Sequence, residues 1–190
     1  MKSKNLLAKF RWSGLLLVLA IAVMPSVSWA ALNAYMTLTG ETQGVIQGSV
    51  TEAGREDSIL VIGMGHTVIL PYDAATGLPT GKPQHRPIRI VKEIDKSSPI
   101  LFTVLTTNEN LTDVTIRFWQ PGIAGSEENY YTIQLINAKI VSIMPNHSSV
   151  LSDSPDVDPD PMTETVTFVY QKIIVTWEEG GITSEADWNQ

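Results

Sequence analysis

Acidic side chains at alternate positions are the nearest approach to a metal-binding motif in this chain of 190 residues. Asp156, Asp158 and Asp160 have the spacing that opens an EF-hand calcium loop. The sixth position of that loop is Pro161, where the motif needs glycine, and the twelfth is Thr167, where it needs a bidentate glutamate. We therefore expect a solvated acidic loop here, with weak calcium binding as the alternative.

Other residues that could do chemistry are too scattered to form a known catalytic motif. His66, His85 and His147 include no pair at the close spacing of metal ligands, and we expect His66 to be a packed or edge histidine of a strand and the other two to lie in loops. Ser126 lies in "GIAGSEE", which lacks the G-x-S-x-G pattern of a hydrolase. The chain has no cysteine, which removes thiol catalysis. We expect no metal, no cofactor and no enzymatic activity.

The first thirty residues have the order of regions found in a secretory signal peptide. A basic start precedes an uninterrupted apolar run over 14–24, and Pro25 ends that run. Ser28 and Ala30 then provide small residues at the −3 and −1 positions of a cleavage site before Ala31. The apolar run is shorter than the about 20 residues that a membrane-spanning helix needs.

We therefore predict a signal peptide over 1–30, cleaved between Ala30 and Ala31, and one domain over 31–190 that is exported to the periplasm or the medium. A retained membrane anchor and a misassigned start codon are the alternatives. Cleavage removes four of the 13 basic residues and none of the 20 acidic ones, so the mature net charge is 9 − 20 = −11. Such a charge argues against nucleic acid and against anionic membrane surfaces as partners of the mature chain.

The mature chain is predicted to be mainly β. Val, Ile, Thr, Tyr, Phe and Trp cluster in runs that are bounded by Gly, Pro, Asn and Asp. These runs predict strands near 34–39, 58–70, 87–94, 112–119, 129–144 and 163–177.

The last two predicted strands change phase midway. The alternating apolar positions change parity after Leu135 in the first and after Tyr170 in the second. A strand with such a slip needs a bulge or a strong bend to keep its apolar face on the core. We therefore expect a closed or nearly closed β-barrel of two packed sheets.

A short flanking α-helix follows the third predicted strand. Ser98 has the residue type of an N-cap, and Pro99 suits the first helical position, where its missing N–H costs nothing. Leu101, Val104 and Leu105 would lie on one face and pack on the barrel.

Two long loops complete the chain. The segment 71–87 contains four prolines and two glycines, and it is long for a connection in a compact domain. The segment 145–162 is acidic and rich in proline. The length and stiffness of 71–87 favour a contact with a partner.

Five segments in order resemble the haemolysin-coregulated protein (Hcp) family, the inner-tube proteins of type VI secretion systems. The most specific is "GLPTGKPQHRPIRIVKEIDKSSPILFTVL", which combines an extended loop, a strand and a helix. In "GREDSILVIGMGHTVILP", Arg55 stands where family members often carry histidine. The matching segments are 34–44, 54–71, 77–105, 165–177 and 185–188.

The resemblance implies a structural protein that assembles as a homo-hexameric ring, with further rings stacked on it. It also implies a contractile sheath around the tube, a spike at its tip and effector proteins in its lumen. We expect Tyr72, Leu78, Pro79 and Arg86 to contact an adjacent subunit, because a proline-stiffened arm loses less entropy when it is ordered.

The leader departs from the family pattern, because family tubes assemble in the cytoplasm. Two readings therefore remain open. The chain either serves a secretion apparatus or is an exported relative that acts alone. In the second case it forms a ring, a filament or a monomeric binding module outside the cytoplasm.

Overall fold

Ten strands and one helix lie within residues 33–122, 126–147 and 161–189, which are the residues that this computed structural model describes. The six predicted strands are all present. The short strands β2, β5 and β10 were not predicted. The bounds are β1 Ala34–Gly40, β2 Gly44–Ile46, β3 Ile59–Gly65, β4 Val68–Ile69, β5 Gln84–His85, β6 Ile88–Glu93, α1 Ser98–Thr106, β7 Leu111–Pro121, β8 Glu127–Asn146, β9 Thr163–Trp177 and β10 Ile182–Asp187.

Six strands close into an antiparallel barrel. Neighbouring strands follow the order β9, β6, β3, β1, β7, β8, and β8 then pairs with β9 to complete the circle. β2 pairs with β1, and β10 pairs with β9. The prediction of a closed, mainly β barrel with one short flanking helix is confirmed.

The predicted strand over 58–70 is wrong in one respect, because it is two strands in two sheets. β3 ends at Gly65, and the chain then leaves the barrel wall. β4 pairs with β5 in a separate two-stranded sheet. Alternation of residue type marks an extended chain but not which neighbour completes its hydrogen bonds, so this boundary depends on the distant strand β5.

The predicted phase change in the two longest strands is confirmed, and it occurs at one level in both. In β8 the buried positions pass from Leu135 to Ala138, and in β9 they pass from Tyr170 to Ile173. Asn137, at a φ of 50°, lies between the two buried sets of β8. Because both strands change parity together, their pairing register is kept across the bend.

The barrel interior is filled by aliphatic side chains with few aromatic ones. Met36, Ile59, Ile116 and Leu135 come from different strands and are almost completely buried, as is Phe168. Inward and outward positions alternate along each strand, so the outer face carries the polar and functional side chains.

The helix α1 covers the barrel beside β8, with Leu101 and Val104 buried, as predicted. The predicted N-cap Ser98 is wrong by one position. The N-cap is Ser97, and the helix begins at Ser98. The cause is that the Ser98 hydroxyl serves another purpose, since it donates to Glu164 at 2.8 Å and accepts from Lys92 at 3.0 Å. Within the described residues, no helix is both long enough and apolar enough to span a bilayer.

A buried ionic cluster joins α1 to the barrel. Lys92 on β6 is fully buried, and its Nζ lies 3.0 Å from Glu164 on β9 and 2.9 Å from Asp95. Its other partners are the backbone carbonyl of Glu93 and the Ser98 hydroxyl. All four partners supply oxygen, so the buried ammonium group is fully hydrogen-bonded.

Replacing Lys92 with methionine is expected to lower the free energy of unfolding by about 3–5 kcal/mol, because the Glu164 carboxylate then stays buried without its cation. Denaturant unfolding of residues 31–190 measures this loss. The matched control is Lys172→Met, which breaks the more exposed pair with Glu185 and costs about 1 kcal/mol or less. Equal losses in the two variants would contradict the structural role of the buried cluster.

Candidate assembly surface

Residues 66–87, which we call the arm, leave the barrel after β3 and return to it at β6. The arm is a hairpin with a stem in which Val68 lies opposite His85 and Ile69 opposite Gln84. Beyond the stem, Tyr72 and Pro79 form an isolated bridge. The long loop predicted over 71–87 is therefore the outer part of a hydrogen-bonded hairpin.

The tip of the arm is shaped by its own sequence. The Asp73 carboxylate accepts hydrogen bonds from the backbone N–H groups of Thr76 and Ala75 at 2.9 and 2.8 Å. These hydrogen bonds, that of Thr76 first, hold the pKa of Asp73 below its ordinary value. Gly77 follows with a φ of 71°, a left-handed conformation that glycine adopts at low cost. The tip therefore has a defined turn before it meets any partner.

Large apolar side chains cover this hairpin and face solvent. Tyr72 and Leu78 are 67% and 64% exposed, and Val68, Ile69 and Leu70 are exposed as well. An ordered, contiguous apolar surface of this kind marks a site of protein contact.

The structure brings three of the four predicted interface residues together. Tyr72, Leu78 and Pro79 lie at the tip, where Asp73 N–H also donates to the Leu78 carbonyl at 2.9 Å. Arg86 lies at the opposite end of the hairpin, and its backbone N–H donates to the Thr67 carbonyl at 3.0 Å. Their contact with an adjacent subunit stays a prediction.

A cluster of aromatic rings anchors the base of the arm to the barrel. His66 Nε2 lies 2.7 Å and His85 Nδ1 lies 2.9 Å from the Tyr170 hydroxyl. The Trp188 ring packs against Tyr170, with centroids 5.0 Å apart, and against His85 at 5.9 Å. Both ends of the arm are therefore tied to one hydroxyl group of β9.

The electrostatics of this anchor favour a neutral imidazole at His66. Burial raises the pKa of Tyr170 to about 12, so its hydroxyl keeps its single proton. Burial, and to a lesser degree the proximity of His85, lowers the pKa of His66. One imidazole can accept the hydroxyl proton while the other donates its N–H to the same oxygen. Two charged imidazoles would instead repel each other across that oxygen.

Sequence reasoning missed the anchor. His66 follows β3 rather than lying within a strand, and His85 lies in β5 rather than in a loop. Tyr170 lies 104 residues beyond His66 in the chain, and no local spacing connects the two. The useful signal was that His66 precedes the proline-rich segment 71–87 and His85 lies near the end of that segment.

The remaining sequence candidates show no catalytic arrangement. Ser126 is exposed at a bend before β8. Among the described residues, no group of three or more His, Asp or Glu side chains could hold a metal ion. The proposed cleavage residues Ala30 and Ala31, and the acidic residues Asp156, Asp158 and Asp160, lie outside the described residues.

Comparisons with known proteins agree on one family. The family model described as "Type VI secretion system effector, Hcp" matches residues 35–177. The chain belongs to the Hcp family. The major exported protein of Pseudomonas aeruginosa is 38% identical over 169 residues, which cover 83% of this chain and 96% of that protein.

Solved Hcp structures have the same fold. Hcp1 from the E. coli EAEC 042 pathovar is 32% identical with a TM-score of 0.74, and the match covers 83% of this chain and 99% of that one. The secreted protein Hcp3 from Pseudomonas aeruginosa is 33% identical with a TM-score of 0.68, and the match covers 84% of this chain and 100% of that one.

Membership confirms the resemblance that the sequence motifs indicated. This Hcp chain is a type VI secretion tube protein, and its relatives support the prediction that it is exported. The arm and the anchor residues His66, His85 and Tyr170 lie within the family match, whereas Trp188 lies beyond it.

The anchor predicts a pH-dependent stability. Because the pKa of His66 is lower in the folded chain than its ordinary value of 6.5, the unfolded chain binds the proton more readily. The free energy of unfolding should therefore be highest above that value and fall as the pH is lowered from about 7 to about 5. Glu185 on β10 lines a cavity together with His66 and His85, and it is the charged group there. It pairs with Lys172 at 3.3 Å.

Urea unfolding at a series of pH values measures this slope. His66→Asn should flatten the slope between about pH 7 and pH 5. A slope that persists in full in His66→Asn would show that the anchor is not its source.

Proposed function

We propose that this Hcp protein is a non-enzymatic subunit that assembles as a hexameric ring through its arm. The observation that carries the proposal is the arm itself, an ordered hairpin whose tip exposes Tyr72 and Leu78. Its backbone is already hydrogen-bonded and its base is already anchored, so docking it costs little further ordering entropy.

The contact between subunits is heterologous. The arm projects from one side of the sheet wall, and the barrel presents a different surface, so one copy gives its arm and the next receives it. Repeated head-to-tail contacts of this type close into a ring when the rotation between copies divides a full turn. Stacking of such rings would build the tube.

An assembled tube would also bind proteins other than further copies of this chain. We infer that the lumen carries effector proteins and that a spike and a sheath bind the assembled rings. The mature net charge of −11 favours protein cargo over nucleic acid, whose phosphates the chain would repel.

Deletion of 74–82 tests the arm. This variant keeps β4, β5 and the histidine anchor but loses the tip with Leu78 and Pro79. Light scattering should show a smaller particle than the ring of the parent chain, because the apolar contact is gone. The same oligomer in both proteins would reject the arm as the interface.

Point substitutions make the test sharper. The double variant Tyr72→Ser, Leu78→Ser keeps the length and the backbone hydrogen bonds of the arm, and it should also shift the particle to smaller mass. Phe102→Ser on α1 is the matched control, because it removes an exposed apolar side chain of similar size outside the arm.

We further propose that the mature chain begins at Ala31 and assembles outside the cytoplasm. The signal-peptide pattern of residues 1–30 supports this compartment. N-terminal sequencing of the protein from each cell fraction is expected to give Ala31 in the periplasm or the medium. Met1 on a cytoplasmic protein would overturn export of single chains and would place assembly inside the cell.

An exported Hcp protein that acts without the secretion apparatus is the second candidate, and the same leader pattern favours it. It would form a ring, a filament or a monomeric binding module. Imaging of single particles of the mature protein separates these forms, because dispersed small particles indicate the monomer and exclude the ring.

A further inference from the structure

Arg55 lies in an unusual environment on the outer face of the barrel. Its guanidinium group stacks over the Tyr35 ring at 4.7 Å and over the Trp119 ring at 4.6 Å. Its Nη2 pairs with Glu127 at 2.5 Å, and its side chain is only 12% exposed. The loop before β3 therefore places a cation between two aromatic rings and one carboxylate.

Several donors around this guanidinium group have no partner. Arg55 Nε, Arg55 Nη1 and Trp119 Nε1 are buried and make no hydrogen bond within the described residues. A buried donor without a partner costs about 1–3 kcal/mol, and more when it is charged. Most buried polar groups in folded proteins are paired, so three such donors at one place indicate a ligand that pairs with them.

A second arginine faces the same space. Arg117 on β7 lines, with Arg55 and Trp119, a cavity of about 390 Å³. Within the described residues its one hydrogen bond is a long one, 3.5 Å from Nη1 to the Thr37 hydroxyl, and it has no carboxylate partner there. The strand neighbour Ile116 points into the core, so Arg117 points outward.

The cavity also contains an unpaired acceptor. Asn129 donates from Nδ2 to the Thr132 hydroxyl at 2.9 Å and to Glu178 at 3.2 Å. These two bonds fix the orientation of the amide, and its Oδ1 is buried without a partner. A ligand that fits the cavity must therefore bring one N–H donor together with its acceptors.

We propose that this cavity binds a carboxylate that has an amide N–H beside it, as in an acidic residue of a polypeptide or an N-acylated amino acid. Arg117 and Arg55 supply the positive charge, Trp119 donates its indole N–H, and Asn129 accepts the amide N–H. A planar guanidinium group pairs well with a planar carboxylate. Nearby Glu127 opposes a ligand of higher negative charge, which favours a carboxylate over a phosphate.

The size of the cavity supports this ligand class. Its volume lies within the range of small-ligand sites, about 300–1,000 Å³, and suits one amino-acid residue with its acyl group. The arm does not line it, so the proposal does not depend on the arm being the assembly interface. Glu56 also lines the cavity and Glu127 is paired with Arg55, so Arg117 is the cation whose charge remains available to a carboxylate.

The test is calorimetric titration of the mature protein with the α-amide of N-acetyl-L-glutamate, which carries one carboxylate and an amide N–H. We expect saturable binding that Arg117→Gln weakens about tenfold or more, because a charged hydrogen-bond partner is lost. Arg89→Gln, the same change at an exposed arginine of β6, should leave binding unchanged. Trp119→Phe provides a second variant that removes one donor and keeps the aromatic stack, and it should weaken binding without a change of charge.

Three results would overturn the proposal. They are no binding of the α-amide of N-acetyl-L-glutamate, equal binding by the parent chain and Arg117→Gln, and tighter binding of inorganic sulfate or of the uncharged α-amide of N-acetyl-L-glutamine. Circular dichroism of each variant establishes that it is folded before it is titrated.

Two sources of the carboxylate are distinguished by particle mass. If Arg117→Gln changes the oligomer seen by light scattering, the carboxylate comes from a neighbouring copy of this chain. If the oligomer is unchanged while the parent chain binds the α-amide of N-acetyl-L-glutamate, the carboxylate comes from a separate molecule. Deletion of 74–82 should leave the titration unchanged, so failure of the arm proposal and failure of this one are separable.

Discussion

The pairing of β8 with β9 is the constraint on which the rest of the structure depends. It closes the barrel, and it continues through the level where both strands change parity around Asn137. If only one strand changed parity, its partner would turn apolar side chains to solvent on one side of the bend. Tyr170 is the last buried residue of β9 before that change, so the same bend sets the position of the hydroxyl that holds the arm.

Polar groups inside and around this barrel are paired so that each joins distant segments. Lys92 connects β6, β9 and the start of α1, and Tyr170 connects β9 with both ends of the arm. Such buried polar contacts add little net stability compared with aliphatic packing, but they are satisfied in one arrangement only. In this protein they fix where the helix and the arm lie on a barrel wall that would otherwise accept several positions.

The arm and the arginine cavity are two surface features of different chemical character. The arm presents apolar side chains, which suits a permanent contact between subunits, since such interfaces resemble a domain core. The cavity presents charged donors between aromatic rings, which suits selective recognition of one group. We propose the first property for ring assembly and the second, which depends on Arg55 and Arg117, for recognition of a carboxylate.

The sequence by itself determined the β class, the six barrel strands, the phase change in the last two and the position of the arm. Alternation of apolar residues, turn residues at strand ends and proline content are local properties of the chain. It placed the helix within one residue, and its motifs identified the family. Only the tertiary structure decided that 58–70 divides between two sheets, that His66 and His85 meet at Tyr170, and that Arg55 and Arg117 face one cavity. The physical reason is that these contacts join residues about fifteen to one hundred positions apart, and the pattern of a strand specifies which side of it is apolar but not which other strand lies beside it.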